Sequence, residues 1–196
     1  MNPALFLDRD GVIIENLPGY VKSTAEVHFL PGVLQALARI RGWKYSIIII
    51  TNQSAVGRGI ISIQTAEEIN QSVVAAIQSH GGRIDGVFMC PHHPDAGCNC
   101  RKPLPGLFFQ AANRLNIDLA NSIMIGDALT DLQAGQRAGL KHLVLVRTGR
   151  GLLFDKNREL RAFSNLKVCD SLVNALDCLD QQFHLARETS TETIPN

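Results

Sequence analysis

The chain is 196 residues long, 45% hydrophobic and 19% charged, which fits one globular domain burying roughly 70% of its unfolded surface. Nineteen basic residues against eighteen acidic ones leave a net charge of +1, too balanced for a protein that lives by attraction to nucleic acid or an anionic membrane. No apolar run approaches the ~18 residues of a membrane span. Met1-Asn2-Pro3 leads into Asp8-Arg9-Asp10 without the basic-then-apolar layout of a secretory signal. Of five cysteines, Cys90, Cys98 and Cys100 are clustered while Cys169 and Cys178 stand apart, a pattern that suits a reduced compartment and a metal better than a disulfide framework. The expectation is a cytoplasmic monomer that binds neither nucleic acid nor membrane.

Short apolar runs alternate with helical patterns along the whole chain. Ala4 to Leu7 reads as a buried strand and Tyr45 to Ile50 as a second, β-branched from Ile47 on. Between them Pro31-Gly32 opens a helix with Val33, Leu34, Leu37 and Ile40 at helical spacing. Thr65 with Glu68 reads as a capping box for a helix carrying Ala66, Ile69, Val73 and Ile77 on one face, and Gly81-Gly82 ends it. A third strand runs from Ile84 to Met89, and Pro105 starts a helix bearing Leu107, Phe108, Ala111 and Leu115. Ser122 to Ile125 is a fourth strand, Thr130 to Ala138 a helix closed by Gly139, and His142 to Val146 a fifth strand. Leu166 to Val168 precedes a helix capped by Ser171, with Leu172, Leu176, Leu179 and Phe183 in register. Residues 1–187 read as a single domain, and the polar stretch 188–196 as a disordered tail.

Alternating strands and helices mean βαβ units, hence an α/β fold with a doubly wound, mostly parallel sheet. Ligands in such folds bind beyond the carboxyl ends of the strands. The residues just past the first, second and fourth strands are Asp8-Arg9-Asp10, Thr51-Asn52-Gln53-Ser54 and Gly126-Asp127. Three clustered carboxylates repel one another unless a cation neutralises them, and hard oxygen ligands suit Mg²⁺. Thr51 supplies a hydroxyl and Lys102 a positive charge that together can hold the oxygens of an anion. A carboxylate nucleophile, a second carboxyl as acid and base, a magnesium ion and a lysine form a phosphoryl-transfer set working through an aspartyl-phosphate. Chemistry alone does not say which aspartate attacks.

These residues resemble the four motifs of the haloacid dehalogenase superfamily of phosphotransferases: Asp8-Arg9-Asp10-Gly11-Val12, Ile50-Thr51-Asn52-Gln53, Arg101-Lys102-Pro103, and Gly126-Asp127 with Asp131. The resemblance implies a Rossmann-like core, Asp8 as nucleophile, Asp10 as general acid and base, and Thr51 and Lys102 on the phosphoryl group. It further implies that Asp8, the backbone carbonyl of Asp10, and Asp127 bind Mg²⁺, with Asp131 holding the helix start or a supporting position. Members with a cap domain insert it between the first and second motifs or the second and third. The spacing here leaves no room for one, so the nucleophile is expected to be open, with specificity set by loops.

Cys90-Pro91-His92-His93-Pro94-Asp95-Ala96-Gly97-Cys98-Asn99-Cys100 offers three thiols and two imidazoles in one turn-rich loop. Cys90, His92, Cys98 and Cys100 can close a tetrahedral zinc site, with His93 as the alternative histidine. Four protein ligands leave no open position, so this Zn²⁺ is expected to be structural and to stiffen the loop that delivers Arg101 and Lys102. A nucleic-acid-binding zinc ribbon is the competing reading, and the neutral charge argues against it.

Within the superfamily the chain resembles the zinc-bearing heptose bisphosphate phosphatase group, of which the histidinol-phosphate phosphatases are close relatives and the alternative reading. The resemblance rests on Gly19-Tyr20-Val21, Thr51 to Ser54 leading to Gly57-Arg58-Gly59, Cys90 to Pro94, and Val146-Arg147-Thr148-Gly149. It implies hydrolysis of the C7 phosphate of a heptose 1,7-bisphosphate, a small phosphorylated sugar. It also implies that Asn16, Gly19, Asn52, Gln53, Ser54 and Arg101 line the substrate site. Ala128 departs from the pattern, standing where a basic residue is common.

Overall fold

The structure, a computed structural model, describes residues 1–154 and 158–188, the last seven of these as backbone only. Six parallel strands form one sheet in the order β3-β2-β1-β4-β5-β6. They are β1 (Asn2–Leu7), β2 (Ser46–Asn52), β3 (Gly86–Cys90), β4 (Ile117–Gly126), β5 (His142–Val146) and β6 (Leu166–Cys169). The principal helices are α1 (Val33–Arg39), α3 (Ile63–Ser79), α4 (Gly106–Leu115), α5 (Leu129–Arg137) and α7 (Leu172–Glu188), with one-turn helices α2 (Ser54–Gly57) and α6 (Gly151–Phe154). The expected doubly wound α/β architecture is present. Neither inter-motif segment holds a cap: one α-helix and two 3₁₀ turns join β1 to β2, and α2 and α3 join β2 to β3.

Each face of the sheet buries its own core, as parallel strands covered on both sides require. On one face Leu5, Leu7, Ile47 and Ile49 meet Leu37 of α1, Ile69, Val73 and Ile77 of α3, and Leu176 of α7. On the other, Phe6, Ile48, Ile50 and Met124 meet Phe108 of α4 and Leu132 of α5. The period of two along β1 thus divides its side chains between two cores. Burying each of these large side chains contributes roughly 1.5–3 kcal/mol in transfer terms. Of the expected tail 188–196, Glu188 ends α7 and the rest lies outside the described residues.

Strands β1, β2 and β3 differ from the sequence reading by one or two residues at their ends, and two further boundaries and one added helix have a local cause. Helix α3 begins at Ile63, because the Ser62 hydroxyl accepts the Thr65 amide at 2.9 Å; Thr65 is the third residue of the first turn instead of its cap. Strand β4 is longer than Ser122–Ile125, since Asn2 and Pro3 pair with Ile117 and Asp118 before a bulge resets the register. Ser122 anchors that bulge, accepting the Ala4 amide at 2.9 Å and donating to the Asp118 carbonyl at 2.5 Å. The one-turn helix α2 was hidden by its length, too short for any periodicity to register.

Register places the site. Leu7 stands level with Ile49 on one side and Ile125 on the other, so the first and fourth motifs leave the sheet at one edge beside Thr51.

Candidate active site

At the switch between β1 and β4, four charged side chains close on one another. The Lys102 ammonium lies 2.6 Å from Asp8 Oδ1 and 2.7 Å from Asp131 Oδ1, and also donates to the Ile50 carbonyl at 3.0 Å. Only 2% of its side chain is exposed. Burial works against the lysine's charge, but Asp131 and Asp8 outweigh it and hold its pKa above the ordinary value. Asp8 is raised well above the usual carboxylate range by burial, then by Asp131, Asp127 and Asp10, with Lys102 opposing. Asp127 is pushed up to about 7 by burial and Asp131, against the Arg150 amide, Lys102 and the Arg150 charge.

The carboxylates of Asp8, Asp127 and Asp131 each offer an oxygen within 4.8 Å of the others. When ionised, three carboxylates and one ammonium leave two negative charges unbalanced in a buried setting, which is the charge of a divalent cation reversed. The donor set fits Mg²⁺. Glycines make the approach possible. A Cβ on Gly11 (φ +89°) would stand 2.1 Å from Asp127 Oδ2, and one on Gly149 (φ +59°) 2.2 Å from the same oxygen. That oxygen also accepts the Arg150 amide at 2.8 Å. Gly126 plays the same part for Asp131, whose Cβ would lie 2.3 Å from a side chain there.

Asp10 stands beside this cluster and lines the same cleft. Arg9 grips its two oxygens at 3.1 Å each, Gln53 Nε2 donates to Oδ2 at 2.8 Å, and the Thr51 hydroxyl lies 3.5 Å from Oδ2. Gln53 Nε2 also donates to Thr51 Oγ1 at 2.8 Å. A cleft of about 150 Å³ opens above, lined by Asp8, Asp10, Thr51, Lys102 and Asp127 together with Asn16, Asn52, Gln53, Ser54 and Arg101. Gly19 is exposed and outside that lining, which takes Tyr20 and Val21 instead. The Tyr20 phenol is held below its ordinary range by a hydrogen bond with Ser54 and, against burial, by Arg58; this ties the loop after β1 to α2. Arg101 Nη1 is buried with no hydrogen-bond partner, an arrangement suited to an anion entering the cleft.

Asn52 spends both ends of its amide on Lys102. Its Nδ2 donates to the Lys102 carbonyl at 3.0 Å, and its Oδ1 accepts the Lys102 amide at 3.1 Å. Sequence reasoning left Asn52 as a substrate contact and missed this clamp. Asp131 was expected to hold the helix start or a supporting position, and it does both: one oxygen accepts the Ala128 amide at 3.1 Å, and the other meets Lys102. The four-residue step from Asp127 into the first turn of α5 was the available signal. Nothing in the sequence pointed to the Arg150 amide.

A second cluster lies at the end of β3. Cys90, His92, Cys98 and Cys100 hold their ligand atoms within 4.8 Å of one another. His92 Nδ1 lies 3.5 Å from Cys90 Sγ and 3.2 Å from Cys100 Sγ, and Cys98 Sγ is 3.6 Å from both other thiols. Tetrahedral zinc with bonds of about 2.0–2.3 Å gives ligand edges of roughly 3.5–3.8 Å, so the set fits Zn²⁺. His93, the alternative histidine, turns away to accept the Asp95 amide at 3.2 Å. The loop is held to the catalytic edge by the Gln53 amide on the Cys90 carbonyl at 2.8 Å, and packs so tightly on α2 that a Cβ at Gly57 would meet His93 N at 2.1 Å. Cys169 and Cys178 pack into the core beside α7.

Residues 99–175 match the HAD-hydrolase-like family model, the class that this fold and carboxylate cluster define. A relative from Bordetella bronchiseptica, D-glycero-beta-D-manno-heptose-1,7-bisphosphate 7-phosphatase, is 44% identical over 182 residues, covering 91% of this chain and 98% of its own. The protein of that name from Vibrio cholerae is 41% identical over 155 residues, covering 76% of this chain and 83% of its own. The chain belongs to this family of haloacid-dehalogenase-like heptose bisphosphate phosphatases. Among solved structures, D,D-heptose 1,7-bisphosphate phosphatase from B. bronchiseptica, complexed with magnesium and phosphate, superposes with a TM-score of 0.82 at 39% identity, covering 92% of this chain and 99% of that one. No helix among the described residues is long and apolar enough to cross a membrane.

Proposed function

We propose that the chain is a magnesium-dependent phosphatase of residues 1–187, cytoplasmic and monomeric. Its reaction is removal of the C7 phosphate from D-glycero-D-manno-heptose 1,7-bisphosphate in the synthesis of nucleotide-activated heptose. The names of its relatives support the sugar over histidinol phosphate, and favour the β anomer. The observation that carries the chemistry is the Lys102 ammonium 2.6 Å from Asp8 Oδ1, beside a second carboxylate, Asp10, turned toward the cleft.

In this reading Asp8 attacks phosphorus and the bond to the C7 oxygen breaks, while the Asp10 carboxyl gives its proton to the departing alkoxide. The resulting Asp10 carboxylate then takes a proton from water attacking the aspartyl-phosphate, which frees phosphate and restores Asp8. Lys102 and Thr51 hold the phosphoryl oxygens, and Arg101 binds the substrate's remaining charge. Asp8, the Asp10 carbonyl and Asp127 would hold Mg²⁺, which when bound supplies positive charge against the carboxylates and the transferring group. Cys90, His92, Cys98 and Cys100 would hold a structural Zn²⁺. Phosphate release with Mg²⁺ should be fastest on the β-heptose bisphosphate, slower on the α anomer, and slowest on histidinol phosphate. Faster turnover of histidinol phosphate would overturn the substrate.

A further inference from the structure

Helix α3 turns an apolar face of Ala66, Ile69, Val73 and Ile77 to the sheet, and one polar residue is buried with them: Asn70, 7% exposed. A buried amide costs stability unless it is hydrogen-bonded, so its partners say what it does there. Its Oδ1 accepts from Arg9 Nη1 at 2.7 Å, and its Nδ2 points to Met89 Sδ at 3.4 Å. A thioether is a weak acceptor, so the Arg9 bond is the strong one.

Arg9 is 1% exposed and lies between the two motif aspartates in the chain. A guanidinium in that setting needs acceptors along its whole rim. Nε and Nη2 are taken by the two Asp10 oxygens at 3.1 Å each, and Nη1 by Asn70. Because the guanidinium is planar, two contacts on one edge and a third on the opposite nitrogen fix its tilt as well as its position. The Asp10 carboxyl group, which Gln53 also holds at Oδ2, is thereby oriented in part from a helix that adds no residue to the cleft lining. Asn70 borders a separate groove of about 500 Å³ between α3 and β3.

We propose that Asn70 is a positioning residue for Asp10, acting through Arg9, and that it sets how well Asp10 protonates the leaving oxygen. This rests on the reading of Asp10 as the acid. A sugar alkoxide leaves poorly without a proton, whereas the phenolate of p-nitrophenyl phosphate does not need one. The ratio of the two kcat/KM values therefore reads Asp10's acid role apart from damage to the fold, because kcat/KM covers only steps up to the first irreversible one.

Asn70→Leu should lower kcat/KM for the heptose bisphosphate by about 10- to 100-fold and for p-nitrophenyl phosphate by less than about 3-fold. Asn70→Asp, which keeps an acceptor facing Nη1, should restore the ratio to within about 3-fold of the unmodified protein. Should Asn70→Leu not fold, Asn70→Ser reads the same ratio. An equal fall on both substrates, or no fall, overturns the proposal. Asp10→Asn separates the two layers. If it moves the ratio while the Asn70 variants do not, only the positioning role is lost; if it leaves the ratio unchanged, the acid assignment itself fails.

Discussion

A side chain at Gly11 would occupy the same space as the Asp127 carboxylate: the Cβ would fall 2.1 Å from Oδ2. Gly11 also holds φ at +89°, where an L-residue costs roughly 1–2 kcal/mol. Gly11→Ala should therefore displace Asp127 from the Mg²⁺ cluster as well as strain the turn. The expected result is a rise of at least about 10-fold in the Mg²⁺ concentration for half-maximal phosphate release, as second-sphere disturbance of metal ligands typically gives. Gly149→Ala presses on the same oxygen from beside Gly11, so the double variant should cost less than the two singles added. Additive effects would mean that the glycines act independently of Asp127.

Lys102 and Asp8 are bound to each other, yet their removal should differ. Asp8→Asn deletes the proposed nucleophile together with one of three crowded carboxylates, so turnover should vanish while thermal stability holds or rises. Lys102→Met leaves Asp8 and Asp131, both buried, without their shared cation, and breaking such a pair costs about 3–5 kcal/mol. Melting curves with circular dichroism and phosphate release on both variants test this. Substantial activity in Asp8→Asn removes the mechanism; equal melting temperatures remove the electrostatic account.

The sheet, the helices of its first four crossovers and the carboxylate motifs were legible because each depends on local signals: β-branched runs such as Ile47–Thr51, glycine stops at Gly81 and Gly139, and polar residues just past Leu7 and Ile125. The bonds between distant residues were not. Asn52 reaching Lys102, and Asn70 reaching Arg9, join positions 50 and 61 residues apart, and no periodicity encodes which side-chain amide meets which distant group. Loop spacing confines the candidate zinc ligands to eleven residues, and Cys90, His92, Cys98 and Cys100, without His93, are the ones whose ligand atoms cluster.

Asn52 was expected to touch substrate and is found clamping the Lys102 backbone on both sides. The two roles part in the kinetics. Asn52→Ala should lower kcat by about 10- to 100-fold through misplacement of Lys102 while leaving KM within about 3-fold. A variant with unchanged kcat and a large rise in KM would return Asn52 to the substrate.

Cys98 and Cys100 directly precede Arg101 and Lys102 and share the thiol cluster with Cys90 and His92, so a metal held there should stiffen the loop. Purified protein should hold about one zinc per chain. Cys98→Ser should lower the zinc content, the melting temperature and turnover together, with activity unrecovered by added Mg²⁺. Cys98 is the thiol to test: although burial opposes it, the Arg101 amide and the neighbouring thiols bring it down to about 7, ready to bind as thiolate. Full activity in a zinc-free preparation would dissociate the loop from catalysis.

Magnesium's effect on stability should grow with pH. Burial, then the neighbouring carboxylates, raise Asp8 and bring Asp127 to about 7, whereas in the unfolded chain both ionise near 4. A group whose acid form is favoured by folding stabilises the metal-free protein at low pH and loses that contribution as pH rises from the unfolded value through the folded one. The metal-free protein should therefore melt progressively lower between about pH 4 and pH 7 on this account. Mg²⁺ competes with those protons, so it should raise the melting temperature little at pH 5 and clearly at pH 8. Thermal melts with and without Mg²⁺ across that range decide the matter, and an equal increment at both ends would show that the carboxylates are already ionised before the metal arrives.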